Sequence, residues 1–475
     1  MKKIILILLF CFSGLILYAQ KHPPKVKPAE PPAPYGPVPT PAQVEWQKME
    51  MNLFCHFGPN TFTGLEWGEG TETEDIFNPT ALDCNQWVSV VKNAGFQGVI
   101  LTAKHHDGFC LWPNPVSTHT VRQSAWRNGK GDVLEELSEA CKRGGVNFGI
   151  YISPWDRNAP TYGTEAYNKV FLKTLRSAHK HYGPIFEQWF DGANGEGPNG
   201  KRQVYDWERF NAQTLKLQPN AVIFSDVGPG CRWVGNEDGH AGETNWSRLG
   251  VKNGERKTEN SGCGNVDGDR WIPAEVDVSI RPGWFWHAEE HPKTVNELME
   301  IYFNSVGRNG LLLLNVPPDS RGRIPAEDSA VLVAFRAERD RIFSNDLTQG
   351  GIAHGTHLRG RRSRADNVLD TAYHTYWAAS STNDTLFIST PDPINFDIIM
   401  LQEYIPLGQR VAAFHVDCWQ PWVKGGWVTI AKGTTIGYKR LLRIPAVTAS
   451  RLRIIFDNVL ATPVINRVAL YNSNK

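Results

Sequence analysis

From about residue 44 to residue 343 the chain alternates between two textures. Short apolar runs recur at 52–57, 98–103, 147–153, 186–190, 221–226, 276–280 and 311–315. Between them lie stretches with helical spacing, at 85–94, 133–143, 165–181, 205–217, 294–306 and 327–341. Leu134, Leu137, Ala140 and Cys141 fall on one helix face, as expected of an amphipathic helix with its apolar stripe turned to a core. Gly95 and the pair Gly144-Gly145 follow helical stretches where C-terminal caps belong. Repeated strand–helix alternation predicts a parallel sheet with helical crossovers. With a strand count near eight, a (β/α)8-like TIM barrel is the economical reading of this α/β pattern; a doubly wound open sheet is the alternative.

After about residue 344 the helical period fades. Runs at 385–389, 411–414, 427–431, 440–444, 451–456 and 464–471 read as strands separated by turns. Leu452, Ile454 and Phe456 alternate with Arg451 and Arg453, the pattern of a strand buried on one face. Residues 345–475 are therefore expected to form an all-β C-terminal sandwich. It holds no calcium-type acidic cluster, and bracing of the barrel is its expected role, with carbohydrate binding as the alternative.

The N-terminus reads differently. Lys2-Lys3 precede an almost wholly apolar run from Ile4 to Leu17, and Ala19-Gln20 follow. Residues 1–20 match a cleaved secretory signal peptide, too short for a comfortable membrane span. This predicts a secreted or periplasmic protein. Residues 21–43 form a Pro-rich leader, with order expected from Val44. Seven cysteines lie beyond the signal peptide, at 55, 84, 110, 141, 231, 263 and 418, without CxxC spacing. No zinc signature follows; the odd number leaves at least one free thiol, with room for one or two bridges.

Composition narrows the partners. The chain of 475 residues is 41% hydrophobic, and its 50 Lys+Arg nearly balance 49 Asp+Glu. That balance gives no reason to expect nucleic acid or an anionic membrane as partner. The 17 Trp lean toward sugar, because the apolar face of a pyranose packs on an indole.

The strand ends carry the candidate chemistry. The first apolar run closes on His56-Phe57-Gly58 and the second on Lys104-His105-His106-Asp107-Gly108-Phe109. The third closes on Ser153-Pro154-Trp155-Asp156, and the fourth stops abruptly at Asp191-Gly192. The fifth is followed by a loop holding Arg232 to Glu237, and the sixth by Arg281-Pro282-Gly283-Trp284-Phe285-Trp286-His287. In a barrel these ends share one mouth, the face where such folds keep their chemistry. A metal site would draw on His56, His105, His106 and Asp191, but adjacent histidines on an extended segment point to opposite sides. No G-x-S-x-G elbow is present for a serine hydrolase. A glycosidase needs one anionic and one protonated carboxyl, neutral hydrogen-bonding groups and an aromatic wall. This fits best, with no cofactor and no metal. A sugar-binding protein without catalysis is the reading from another class; retention of two mouth carboxylates argues against it.

The run 104–109, with His56-Phe57-Gly58, Trp189-Phe190-Asp191-Gly192, Gly235-Asn236-Glu237 and Ser279 to Phe285, resembles glycoside hydrolase family 29, the retaining α-L-fucosidases. It is most similar to the branch that removes α-1,3/4-linked fucose from branched, Lewis-type glycans. Ile436 to Arg440 and Arg451-Leu452-Arg453 resemble the discoidin-like sandwich appended to such enzymes. The resemblance implies Asp191 as nucleophile, forming a covalent fucosyl-enzyme, and Glu237 as acid/base. Glu289, Glu290 and Glu243 are rivals for the second role. It implies that His56, Glu66, Trp67, His105 and His106 hold fucose and wall its ring, with Trp155 and Trp284 as further walls. The partner is then a fucosylated oligosaccharide or glycoconjugate, and the pH optimum is mildly acidic. A broad-specificity α-L-fucosidase and an α-galactosidase are the readings nearest to this one. Asp107 is expected to order its loop through backbone NH groups, and Glu69, Glu72, Glu74 and Asp75 to form a solvated acidic surface.

Overall fold

The computed structural model describes residues 31–474 apart from 253–254 and 257–260. The predicted signal peptide lies outside the described residues. Eight parallel strands close into a barrel, numbered here β1 to β8 in chain order. They are β1 Met51–Cys55, β2 Gly98–Lys104, β3 Asn147–Ile152, β4 Glu187–Trp189, β5 Val222–Ser225, β6 Cys231–Trp233, β7 Ala274–Ser279 and β8 Gly310–Asn315. Closure runs through β8, which pairs with β1 from Met51–Leu312 to Phe54–Asn315. The barrel reading is correct and the open sheet is not formed.

Most strands are buried on both faces, which is why they read as continuous apolar runs. Inward, Phe54, Ile100, Tyr151, Trp189, Phe224, Leu311 and Leu313 fill the interior. Outward, the strands meet helices such as Val133–Gly144, whose buried residues include Leu134, Leu137, Ala140 and Cys141. Gly145 ends that helix at φ 66, a left-handed turn that costs glycine little. Each such buried aliphatic side chain contributes about 1.5–3 kcal/mol.

The sequence placed Arg232 and Trp233 in a loop; they lie in β6. Residues 226–230 return the chain from β5 with no helix, and Phe224 pairs with Cys231. A strand this short, with a charged residue at its centre, gives no apolar run to read. Arg232 is fully buried, its guanidinium donating to the Ser261 carbonyl (2.8 Å) and Asn245 Oδ1 (2.8 Å). After β6 the chain makes a long excursion, including the antiparallel pair Arg248–Leu249 and Arg270–Trp271, before β7.

Order also begins earlier than expected. Thr40 caps helix Pro41–Met49 in a reciprocal arrangement with Gln43. Tyr35 N donates to the Leu407 carbonyl (3.1 Å), and Arg410 donates to the Ala33 carbonyl (2.6 Å). This helix closes the barrel floor. Trp46, 1% exposed, donates from Nε1 to Glu187 Oε2 (2.7 Å). Glu275 lies beside Glu187 and hydrogen-bonds to it. Burial, then the Glu187 charge, pushes the Glu275 carboxyl well above its usual range, and burial raises Glu187 as well, so the pair shares a proton. Trp189 Nε1 donates to Glu275 Oε2 (2.9 Å). A carboxyl whose folded pKa is raised stabilises the fold at low pH, and loses that contribution as pH rises from the unfolded value toward the folded one. Glu275→Gln keeps both hydrogen bonds without needing a proton. Its Tm is therefore expected to fall less than that of the wild type between pH 5 and pH 8, as measured by calorimetry; equal slopes would refute the shared proton.

The C-terminal residues form the expected antiparallel all-β domain. Its seven strands belong to one hydrogen-bonded sheet. Two long strands, Leu386–Glu403 and Arg440–Val459, run through both halves and shift register between Ser389 and Ile394 and between Phe396 and Ile398. Such irregularities let a strand bend from one layer into the next. One core draws on both halves, with Ile388, Leu452 and Ile454 beside Phe396, Ile399 and Leu470. Among the described residues all seven cysteines are free, and no helix is long and apolar enough to cross a membrane.

Candidate active site

Asp191 sits just beyond β4. Its Oδ1 accepts from Ala193 N (2.7 Å) and its Oδ2 from the Tyr151 hydroxyl (2.9 Å), with His106 Nε2 3.7 Å from Oδ2. Burial raises its pKa; the Ala193 NH and the Tyr151 hydroxyl oppose the rise by bonding the anion. Tyr151 itself is held between His105 and Trp189, with ring centroids 5.7 and 5.3 Å away. Tyr151→Phe removes one donor to the anion, so the pKa of Asp191 rises further. The titration of Asp191, followed by NMR, is expected to move to higher pH; an unmoved titration would count against this.

The three histidines are neutral. Burial holds His56 and His106 at about 3, and His105 well below its usual range. Their tautomers follow from their partners. Asn315 Nδ2 donates to Ser279 Oγ (2.9 Å) and the Trp284 carbonyl (2.8 Å), so its Oδ1 must face His56. That oxygen accepts from His56 Nδ1 (2.9 Å) and leaves Nε2 as an acceptor. Ser153 donates its hydroxyl to the Trp155 carbonyl (3.1 Å), so it accepts from His106 Nδ1 (2.8 Å), and His106 Nε2 is again an acceptor. His105 Nδ1 is buried without a hydrogen-bond partner among the described residues.

The expectation that His105 and His106 diverge is overturned: their ring centroids are 4.1 Å apart. Strand β2 ends at Lys104 and the chain turns, Gly108 N donating to the His105 carbonyl (3.1 Å), so two-residue alternation stops there. Gly108 has φ 89, and a Cβ on it would lie 2.5 Å from Asp156 Oδ1, which leaves no room for a side chain. Asp107 behaves as expected, its Oδ1 accepting from Phe109 N (2.6 Å). The acidic loop is more than a solvated face. Glu72 accepts from the amides of Glu69 and Gly70, Glu74 pairs with His119 (2.9 Å), and Asp75 accepts from Ala125 N (2.6 Å).

The nine residues singled out in the sequence form one connected group. His105 touches His56 (centroids 5.8 Å), and His106 packs on Trp155 (4.8 Å) and near Trp67 (6.4 Å). Trp67 is 60% exposed and stands at the rim. Trp284 leans on His56 (5.0 Å) and donates from Nε1 to Glu237 Oε2 (3.1 Å). Glu66 spends both oxygens on that wall, accepting from Trp284 N (2.9 Å) and meeting His287 Nε2 (2.9 Å). The Glu237 pKa is raised by its partial burial at the rim first, then by the charges of Asp191, Asp238 and Glu66, against the Trp284 hydrogen bond.

The rivals are differently employed. Glu243 pairs with Arg440 of the C-terminal domain (3.1 Å), Glu290 Oε2 accepts from Gly283 N (3.1 Å), and Glu289 is exposed in a turn. Tyr151, Asn315 and Asp277 escaped the sequence reading. Asn315 had a signal, because the run Leu311 to Leu314 stops abruptly at a polar residue as the run before Asp191 does. Asp277 is 3% exposed, and burial followed by the Glu237 charge lifts it well above the carboxylate range. Among the described residues, the one group of His, Cys, Asp and Glu close enough to share an ion is Glu187, Cys231 and Glu275 on the barrel floor, away from the mouth.

A barrel mouth with an NH-held carboxylate, a second carboxyl of raised pKa, neutral histidines and an indole wall is a sugar-hydrolysing arrangement. The sequence model of the family described as alpha-L-fucosidase matches residues 34–336. The chain belongs to the α-L-fucosidases of glycoside hydrolase family 29. Alpha-L-fucosidase 1 of Arabidopsis thaliana is 45% identical over 93% of this chain and 88% of its own. Among solved structures, SpGH29 superposes with a TM-score of 0.88 at 38% identity, covering 93% of this chain and 99% of its own. A Ruminococcus gnavus GH29 fucosidase in complex with fucose gives 0.86 at 32% identity, covering 94% and 96%. The enzyme is thus an α-L-fucosidase glycoside hydrolase, and fucosylated glycans are its substrate class.

Proposed function

We propose that this fucosidase acts with retention and removes terminal α-1,3/4-linked fucose from branched glycans. Asp191 attacks the anomeric carbon from the β face while the bond to the leaving oxygen breaks. Glu237 gives its proton to that oxygen, leaving a β-fucosyl ester on Asp191. Glu237, now anionic, takes a proton from water; the water oxygen attacks the anomeric carbon, and Asp191 departs as carboxylate. The free Nε2 acceptors of His56 and His106 receive fucose hydroxyls, and Trp67, Trp155 and Trp284 line the ring. The observation that carries the reading is the division of labour between the two carboxyls. Asp191 is held as an anion by two donors, while the Asp191 charge helps keep Glu237 protonated. The resemblance to the α-1,3/4 branch and the exposed rim at Trp67 and Glu237, open to a branched leaving group, support the linkage.

Release of free fucose from three substrates tests it: an aryl α-L-fucoside, an α-1,2-fucosylated disaccharide, and an α-1,3/4-fucosylated trisaccharide with its galactose present. Rapid release from the trisaccharide is expected, with only slow release from the other two. Release from all three would move the enzyme to the broad-specificity branch. The proposal includes export through residues 1–20, for which a mature N-terminus near residue 20 is the check.

A further inference from the structure

We propose that the C-terminal β-domain is a positioning element of the reaction, holding the segment that presents Glu237 to the leaving oxygen. The inference rests on Glu237 being the acid/base.

Glu237 lies in a turn that leaves the barrel after β6. Asn236 shapes it, accepting from Asp238 N (3.1 Å) and donating to the His240 carbonyl (2.8 Å). The next residues are tied to the barrel, Ala241 N donating to the Asn304 carbonyl (2.9 Å) and Arg308 to the Ala241 carbonyl (3.0 Å). From Glu243 onward alternate main-chain groups turn to the C-terminal domain, while Trp246 N donates to the Cys263 carbonyl (2.7 Å) and Asn309 Nδ2, beside β8, shares the Asn245 carbonyl (3.0 Å). Thr434 Oγ1 (3.1 Å) and Arg440 donate to the Glu243 carbonyl. Asn245 N donates to Thr435 Oγ1 (2.8 Å), and Gln409 Nε2 to the Asn245 carbonyl (3.1 Å). Ser247 N donates to Gln409 Oε1 (2.8 Å). Asn245, Ser247 and Gln409 are each 0% exposed, and Thr435 1%.

Peptide groups buried away from water must find partners inside the protein. Here side chains from a different domain supply those of Asn245 N and Ser247 N and share those of the Glu243 and Asn245 carbonyls, over a span that makes no regular sheet. Gln409 acts as donor and acceptor to two peptides at once, which fixes both the position and the register of the span. The turn bearing Glu237 is followed by two successive anchors, the barrel at Asp238, which bridges to Val278, and at Ala241, and then the β-domain from Glu243. A general acid must meet the leaving oxygen at hydrogen-bond distance, and an ångström of drift can cost about a hundredfold.

The test separates positioning from mere bracing by the leaving group. From a 2,4-dinitrophenyl α-L-fucoside the dinitrophenolate departs without a proton, and kcat/KM reports only the steps up to its departure; a fucosylated trisaccharide needs the acid. Thr435→Val, nearly isosteric, removes only the oxygen that accepts from Asn245 N; Gln409→Ala removes both peptide contacts. Each is expected to lose about tenfold or more in kcat/KM on the trisaccharide and less than about twofold on the dinitrophenyl fucoside, with Thr435→Ser restoring the trisaccharide rate. Equal losses on both substrates, or none on either, overturn the inference. Glu237→Ala is run beside them. If it discriminates by leaving group and the domain variants do not, this inference alone fails. If Glu237→Ala does not discriminate, the acid/base assignment fails and this inference with it. Should Gln409→Ala not fold, Thr435→Val and its serine rescue decide.

Discussion

Asp191→Ala is expected to abolish turnover of natural glycans, with a loss of about 10⁴-fold or more, because the covalent step of the proposed mechanism then has no nucleophile. Sodium azide should partly restore the reaction on an activated aryl fucoside. The anion would enter the space the carboxylate leaves, against the Tyr151 hydroxyl and the Ala193 amide. Its product should be β-L-fucosyl azide, inverted relative to the substrate, identified by NMR. An α-configured azide, or a variant retaining a tenth of the wild-type rate, would sink the assignment. The fold should survive the change, because burial already disfavours this carboxylate. A Tm at or above that of the wild type is the expected control.

Glu237→Gln separates the two halves of the mechanism. Trp284 Nε1 can still donate to the amide oxygen, so the side chain keeps its place. On a trisaccharide, kcat/KM should fall by about 10²–10⁴-fold, the range attributable to a general acid. On the dinitrophenyl fucoside kcat/KM should hold, since the leaving group needs no proton. The pH profile gives an independent sign. In the proposed mechanism, wild-type activity is expected to be lost as pH falls through the Asp191 pKa and as pH rises through the Glu237 pKa. Burial raises Asp191, and partial burial with the Asp191 charge raises Glu237, so both limbs are expected above the ordinary range for their residue types. Removing the acid should flatten the alkaline limb on the aryl substrate and leave the acidic limb. Glu289→Gln, in an exposed turn, should change neither limb; leaving-group discrimination by that variant would transfer the role.

Much of this protein is legible without coordinates. The helix at Val133–Gly144 shows its buried stripe, and Leu452, Ile454 and Phe456 show their buried face, because periods of 3.6 and 2 are local properties. The abrupt ends of apolar runs at His56, Lys104 and Asp191 mark the barrel mouth for a similar reason. A parallel strand buried on both faces must change character where it emerges. Strand β6 was invisible, since three residues centred on Arg232 carry no apolar signature and the excursion that buries Arg232 comes later in the chain. In the β-domain, Asp392 and Pro393 interrupt the strand pattern in the sequence, while the structure continues one strand from Leu386 to Glu403 with a register shift at that point.

Sequence by itself therefore determined the layered order of the fold and the chemical types at its mouth, because spacing and chain-end chemistry act over a few residues. Tertiary structure alone decided which histidine nitrogens are free. It also decided that Tyr151 and Ala193 share the charge of Asp191, that Trp284 holds Glu237, and that Gln409 and Thr435 anchor the segment beyond it. Those choices depend on partners far away in the chain. The cost of leaving a buried polar group unpaired acts through space and writes no periodic trace in the sequence.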